Sequence, residues 1–281
     1  MSRSPAGALG IDLGASRTKI AWRPAGGALR LEAFARGEDS AVEERAGTAA
    51  EGPIGVTGAG ASAFAGTFKG GEPLEIVGEF EAWARGSRVL LERAELAIPD
   101  PFLLVSLGTG TSMLRVEGGT TTRIGGTALG GGTLVGLASR LCDCRDFDEL
   151  CRMAVRGERH RADLVVADIY PGEDRPLPGD VTAASLEKLG RFALNDDEAP
   201  GCDDIAAALM GLVGENVAQL ASALAAAGQL STIVYGGSAL RENPALTNLL
   251  VAIPSLQGRR ATILPSGEYA GAVGALEAAT D

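Results

Sequence analysis

The 281-residue sequence contains one histidine, His160, and four cysteines. With a single imidazole, set in the polar run RGERHR, a histidine-dependent catalytic triad is not expected and a surface position suits the side chain. The cysteines are Cys142, Cys144, Cys151 and Cys202. Three fall within ten residues, but zinc sites pair C-x-x-C with a second such pair or with histidines, so reduced structural thiols of a cytoplasmic protein are expected. Positive charge is also short. Lysine and arginine number 25 against 36 acidic residues, a formal charge of −11. That balance repels phosphate backbones and anionic membrane surfaces, so we expect no nucleic-acid and no membrane partner. No apolar stretch approaches the roughly 20 residues a membrane span requires. The opening MSRSPAGALG has no apolar h-region, so no signal peptide is expected.

What is present suits a globular chain. Hydrophobic residues make up 46 % of the sequence, and the length allows one or two lobes with a large core. Residues 8–13 read as a strand, Gly14-Ala15-Ser16 as a tight turn and residues 18–22 as a second strand. A short strand at 54–57 follows, then helical spacing over 79–96. Pro99-Asp100-Pro101 interrupts that pattern and marks a lobe boundary, because proline stops helices and restricts the residue before it. We therefore divide the chain into an N-terminal lobe, 1–99, and a C-terminal lobe, 100–281. Beyond the boundary the opening unit repeats: an apolar run at 102–107, the turn Gly108-Thr109-Gly110-Thr111-Ser112, and a strand at 113–116. One strand–turn–strand unit used twice, about 95 residues apart, fits two related lobes facing across a cleft. Ile205, Leu209, Leu212, Val213, Val217, Leu220 and Leu224 recur at helical spacing and predict a helix over 203–227, capped near Gly228. Residues 231–235 predict a strand, and the small-residue segment 267–279 a helix packed tightly on a sheet. Alternating strands and helices make the chain α/β.

Four turns rich in glycine and hydroxyl groups follow strands: 12–16, 108–112, 130–132 and 236–238. Each exposes backbone N–H groups without a Cβ in the way, which suits a polyphosphate; any one alone is also what an ordinary α/β turn looks like. Neither G-x-x-x-x-G-K-[ST] nor a strand-to-helix G-x-G-x-x-G is present. Asp12, ending the first strand, suits Mg²⁺ held through water, or else caps its own turn. Glu79 and Glu81, in VGEFEA, are two candidates for a general base, or plain N-terminal helix charges, and residue logic alone does not choose between them. Arg123, just before a glycine pair, is a candidate for holding a substrate carboxylate or developing phosphoryl charge, or a surface strand arginine.

Taken together, GIDLGASRTKI, VTGAGA, EFEA, SLGTGTSM, RIGGTALGGGTLVGL, DLVVADIY, LPGDVTAASL, LVGENVAQLA, IVYGGSAL and GEYAGAVGAL resemble the type II pantothenate kinases almost end to end. The run 108–137 is the most specific. The resemblance implies a two-lobed actin/hexokinase-like (ribonuclease H-like) fold with a central cleft, and phosphorylation of pantothenate with ATP and Mg²⁺ at the start of coenzyme A synthesis. It implies Glu79 as general base and Arg123 as a substrate ligand. Nucleotide contacts are implied at Asp12, Gly14, Ala15, Ser16, Arg17, Lys19, Gly108, Thr109, Gly110 and Thr111, and adenosine contacts at Gly131, Gly132, Thr133, Leu134, Val135, Phe147 and Ser238. It further implies a homodimer with the helix at 203–227 in the interface. Where the family usually reads D-x-G-G-T, this chain reads D-L-G-A-S, which removes a glycine at Ala15. A sugar or acyl kinase of the same superfamily, or an ATP-binding regulatory protein, are the alternatives.

Overall fold

Two five-stranded sheets built to one plan form the frame of the computed structural model, which describes residues 7–24, 27–35, 37–49, 52–68, 73–192 and 199–281. In the first, β1 (Leu9–Leu13), β2 (Arg17–Trp22) and β3 (Arg30–Ala35) make an antiparallel meander. Helix α1 (Asp39–Ala49) leads to β4 (Ile54–Thr57), which lies parallel to β1, and α2 (Ala61–Thr67) leads to β5 (Leu74–Ile76), parallel to β4. The sheet order is β3-β2-β1-β4-β5. After α3 (Glu79–Arg93) the plan restarts. Strands β6 (Phe102–Leu107), β7 (Thr111–Glu117) and β8 (Thr120–Thr127) form the second meander.

An excursion separates this meander from its parallel strands. It comprises α4 (Gly131–Leu141), α5 (Phe147–Arg156), the two-residue β9 (Leu164–Val165), α6 (Val166–Ile169), β10 (Thr182–Ala184) paired with β9, α7 (Glu187–Phe192) and α8 (Cys202–Ala227). Then β11 (Thr232–Gly236) lies parallel to β6, α9 (Pro244–Leu256) crosses over, β12 (Arg260–Ile263) lies parallel to β11, and α10 (Ala270–Ala278) ends the chain. The order β12-β11-β6-β7-β8 is the first sheet's order repeated, so the sequence repeat is a repeat of whole sheets. Central strands such as β4 and β6 are apolar along nearly their full length because both faces are covered.

Helix α10 follows the second sheet in the chain, yet it packs on α3, β1 and β4 of the first half. An ideal Cβ at Gly10 would lie 2.0 Å from the Ala272 carbonyl oxygen, and one at Gly274 1.7 Å from that of Ala82. Only glycine permits backbone to approach backbone that closely, which is why this helix is so poor in large side chains. Together α3 and α10 fill the space between the sheets, against Phe102, Leu104, Leu114 and Val234.

Helix α8 is long and apolar enough to cross a membrane by length and composition, but 72 % of its apolar window is buried within the chain. Leu209, Met210, Val213, Val217 and Ala221 are core, against residues of α4, α5, α9 and β6. Its richness in Leu, Val and Ala is thus accounted for by its own lobe. The chain leaves the helix through Gly228 at φ −83°, and Gln229, not the glycine, takes the left-handed turn at φ 54°. Cys151 is buried in this core with Cys142 and Cys144 packed at its margin, and Cys202 is exposed at the start of α8.

Candidate active site

The turns that follow β1 and β6 face each other. Ser16 Oγ and Thr109 Oγ1 lie 2.7 Å apart. Two cavities meet along this seam and share Ser16, Arg17, Gly108, Thr109 and Ser238. One, of about 560 Å³, extends toward α4, α5 and Arg241. The other, of about 370 Å³, extends toward α3, β7 and β8.

The smaller cavity gathers the charged candidates Asp12, Lys19, Glu79 and Arg123. Asp12, the next-to-last residue of β1, is 4 % exposed. Its carboxyl is pushed up to about 6, chiefly by burial; Lys19 opposes the shift, and Glu79 adds to it. Lys19, its partner across the hairpin, approaches only to 3.9 Å. The neighbouring Thr57, in register with Asp12 on β4, is fully buried, and its hydroxyl has no hydrogen-bond partner. Glu79 is the first residue of α3 and lines this cavity. Glu81 does not line it: one helical turn carries its carboxylate to Arg85, at 3.0 Å.

Arg123 owes its position to a break in the sheet. Met113 pairs with Gly125 and Leu114 with Arg123, so Ile124 is an extra residue, a β-bulge. In a regular strand Arg123 and Gly125 would share a face. The bulge separates them. Gly125 faces α8, where an ideal Cβ would meet Leu224 Cδ1 at 2.4 Å, while Arg123 lines the cleft. Gly126 makes room for the guanidinium, since a Cβ there would lie 2.6 Å from Arg123 Nη2.

The larger cavity is lined by Gly131, Gly132, Val135, Gly136 and Phe147. Phe147 is placed by Asp146, the N-cap of α5, whose carboxylate accepts from the Glu149 N–H at 2.7 Å. Arg241 closes one side by donating to Asp148 at 2.5 Å. Asp146, Asp148, Gly136, Ala239 and Arg241 were not among the sequence candidates, nor were Ala59, Trp83, Ser106 and Thr127 in the smaller cavity, whereas Ser112 belongs to the turn already singled out. The D-x-x-E spacing at 146–149 carried a capping signal; Arg241 carried none.

Some expectations change. The N–H groups of Gly131 and Gly132, offered to a phosphate, donate to the carbonyls of Gly108 (2.8 Å) and Thr109 (2.9 Å). They bind α4 to the turn. Leu134 faces the core with no exposed surface, and Thr133 Oγ1 donates to the Ala128 carbonyl, so neither side chain lines a cavity. Thr111 lines the smaller cavity, but its Oγ1 is engaged, donating to the Leu129 carbonyl at 2.7 Å. Gly14, Ala15 and Gly110 line the smaller cavity. Ala15 is absent from the positive-φ residues, so the first turn closes without the glycine freedom that the motif suggested.

The residues fit a divalent cation that keeps part of its water shell. Asp12 is a cavity-lining, buried carboxylate whose one ion pair among the described residues is the long contact to Lys19.

Comparisons with known proteins agree with this frame. The Fumble family profile matches residues 30–278. A type II pantothenate kinase of Bacillus cereus (strain ATCC 10987 / NRS 248) is 32 % identical over 270 residues, 95 % of this chain and 96 % of that one. One from Staphylococcus aureus (strain USA300) is 34 % identical over 204 residues, 73 % of this chain and 75 % of that one. Among solved structures, the activator of the 2-hydroxyisocaproyl-CoA dehydratase from Clostridium difficile with bound ADPNP superposes with TM-score 0.63 at 15 % identity, covering 98 % and 94 % of the two chains. A glucokinase of the ROK family from Streptomyces griseus, in complex with glucose and AMPPNP, superposes with TM-score 0.57 at 15 % identity, covering 97 % and 98 %. At such identities these two show the shared fold, that of the two-lobed actin/hexokinase-like ATPases.

Proposed function

We propose, from the premise that this chain belongs to the Fumble family of type II pantothenate kinases, that it transfers the γ-phosphoryl group of ATP to the primary hydroxyl of pantothenate in coenzyme A biosynthesis. One observation carries the residue assignment: Glu79, Asp12 and Arg123 converge on a single cavity that opens, at the Ser16–Thr109 seam, into a second cavity of nucleoside size.

In this reading the adenosine lies against Phe147 and Val135, and the triphosphate crosses the seam. Arg123 takes the pantothenate carboxylate as a fixed, planar, always-charged donor. Glu79 accepts the proton of the acceptor hydroxyl as that oxygen bonds to the γ-phosphorus and the bond to the bridging oxygen breaks, releasing ADP. Asp12 would hold Mg²⁺ through water, and the ion would supply charge neutralisation for the transferring phosphoryl group. Lys19 keeps the buried Asp12 oriented. A cytoplasmic homodimer belongs to the same proposal; it would use the outward stripe of α8 at Asn216, Gln219, Ala223 and Ala226, the part its own lobe leaves uncovered.

A coupled assay of ATP consumption with pantothenate, pantetheine and hexoses tests the reading. ADP release that depends on pantothenate is the expected result. Turnover on hexoses and not on pantothenate would replace it with a sugar kinase, and no turnover on any acceptor would leave a nucleotide-binding protein without transfer.

A further inference from the structure

Four cations line the two cavities: Arg17, Lys19, Arg123 and Arg241. Two are engaged. Lys19 faces Asp12, and Arg241 holds Asp148. Arg123 stands at the acceptor end, in the smaller cavity alone. That leaves Arg17, which lines both cavities and so stands at their junction. Its Nε is buried without a hydrogen-bond partner, and no carboxylate among the described residues pairs with its guanidinium. The Nε has given up water without a partner in the chain, while the partly exposed remainder of the guanidinium is open to the cleft, so an anion at the junction would offset that cost.

The strand explains why it points there. Arg17 opens β2, directly after the turn, and Lys19 is two residues on. Alternate residues of a strand share a face, so both project from the cleft side of the sheet. Lys19 lies deeper, against its cross-strand partner Asp12 on β1, and Arg17 lies nearer the seam where Ser16 meets Thr109.

We propose that Arg17 is a further catalytic residue. It grips the β-phosphate of the nucleotide and neutralises the negative charge that gathers on the β–γ bridging oxygen as ADP departs. The inference rests on the nucleotide-binding part of the function proposed above, and names the atoms served. Arg17 forms no covalent bond and transfers no proton. Its work is electrostatic, a charge held in place before the reaction at the point where charge develops. The crossing point is well defined. A nucleoside seated against Phe147 places its α-phosphate in the larger cavity, and an acceptor beside Glu79 places the γ-phosphorus in the smaller one. The β-phosphate lies between, at the residues the two share.

The test compares ADP with AMP, which lacks the β-phosphate, on wild type, Arg17→Met and Arg17→Lys by titration calorimetry. Arg17→Met is expected to weaken ADP by about tenfold or more and leave AMP within about twofold, since it removes a charge-assisted hydrogen bond to the β-phosphate alone. Arg17→Lys, which keeps the charge and loses the fork, is expected to fall between. Turnover of Arg17→Met is expected to drop on the order of 10²–10³. Equal weakening of ADP and AMP, or no change in either, overturns the assignment. Should Arg17→Met fail to fold, the ADP-to-AMP affinity ratio of Arg17→Lys decides alone: a ratio equal to wild type refutes it. None of these titrations contains an acceptor, so they stand whether or not pantothenate is the substrate, and wild-type turnover on pantothenate judges that question separately.

Discussion

Ser16 and Thr109, 93 positions apart in the chain, meet hydroxyl to hydroxyl at 2.7 Å across the cleft. Each sits in the first tight turn of its own sheet, and the sheets share one strand order. The contact is therefore where the two copies of a repeated unit face each other. Everything assigned to catalysis lies on one side of that contact or the other.

Glu79 and Glu81 offer a sharp comparison, because they sit two residues apart on one helix. Glu79→Gln should lower kcat by about 10²–10⁴ while ADP affinity stays unchanged. Glu81→Gln breaks only the exposed pair with Arg85 and should leave turnover within about twofold. Steady-state kinetics on both variants check this, and equal losses would remove Glu79 from the proton transfer.

The pH response follows from Asp12. Its folded value, about 6, stands above the ordinary 3.8, so between those limits the folded chain holds a proton that the unfolded chain has released. The group's contribution to stability is complete below pH 4 and is lost as pH rises through 6. Ionised Asp12, the form a divalent cation needs, therefore forms only above about pH 6 in the ligand-free chain. Turnover at limiting Mg²⁺ should fall below pH 6, and higher Mg²⁺ should move that limb to lower pH. A limb indifferent to Mg²⁺ would dissociate Asp12 from the metal.

Gly126 clears the space for Arg123. Gly126→Ala puts a methyl 2.6 Å from Nη2 and 2.6 Å from the Thr111 carbonyl oxygen, at φ 159°, so the guanidinium is displaced and the β7–β8 pairing beside it must also shift. KM for pantothenate should rise about tenfold or more and KM for ATP change little. Methyl pantothenate, an ester without the carboxylate, should not register the substitution. If the ester loses as much as the acid, Arg123 does not hold the carboxylate.

The α3–α10 contact governs stability rather than chemistry. Gly274→Val forces a side chain against the Ala82 carbonyl and should cost about 2–3 kcal/mol, lowering Tm by roughly 5–10 °C. Calorimetric unfolding measures this. A Tm within a degree of wild type would mean that the two helices separate readily.

Much of this protein was legible from residue order. The repeated strand–turn–strand units, the helix over 203–227 and the small-residue terminal helix follow from period, turn chemistry and side-chain size. These are local rules, and each acts within a few residues of the place it describes. The family resemblance ran along the same stretches.

Other features needed the folded chain, because they depend on which distant groups become neighbours. Nothing in the order of residues announces that α10 returns to the first sheet, that the amides of Gly131 and Gly132 are spent on the carbonyls of residues 108 and 109, or that Leu134 points away from the nucleotide cavity. The face that Arg123 presents hangs on a single unpaired residue, Ile124, whose insertion is visible only against its partner strand. Asp12 has an ordinary carboxyl until folding buries it beside Lys19, Thr57 and the start of α10. Residue order determined the elements and the chemical groups available; burial, register and the approach of backbone to backbone decided which of those groups face the cleft, since such quantities exist only once both sheets are in place.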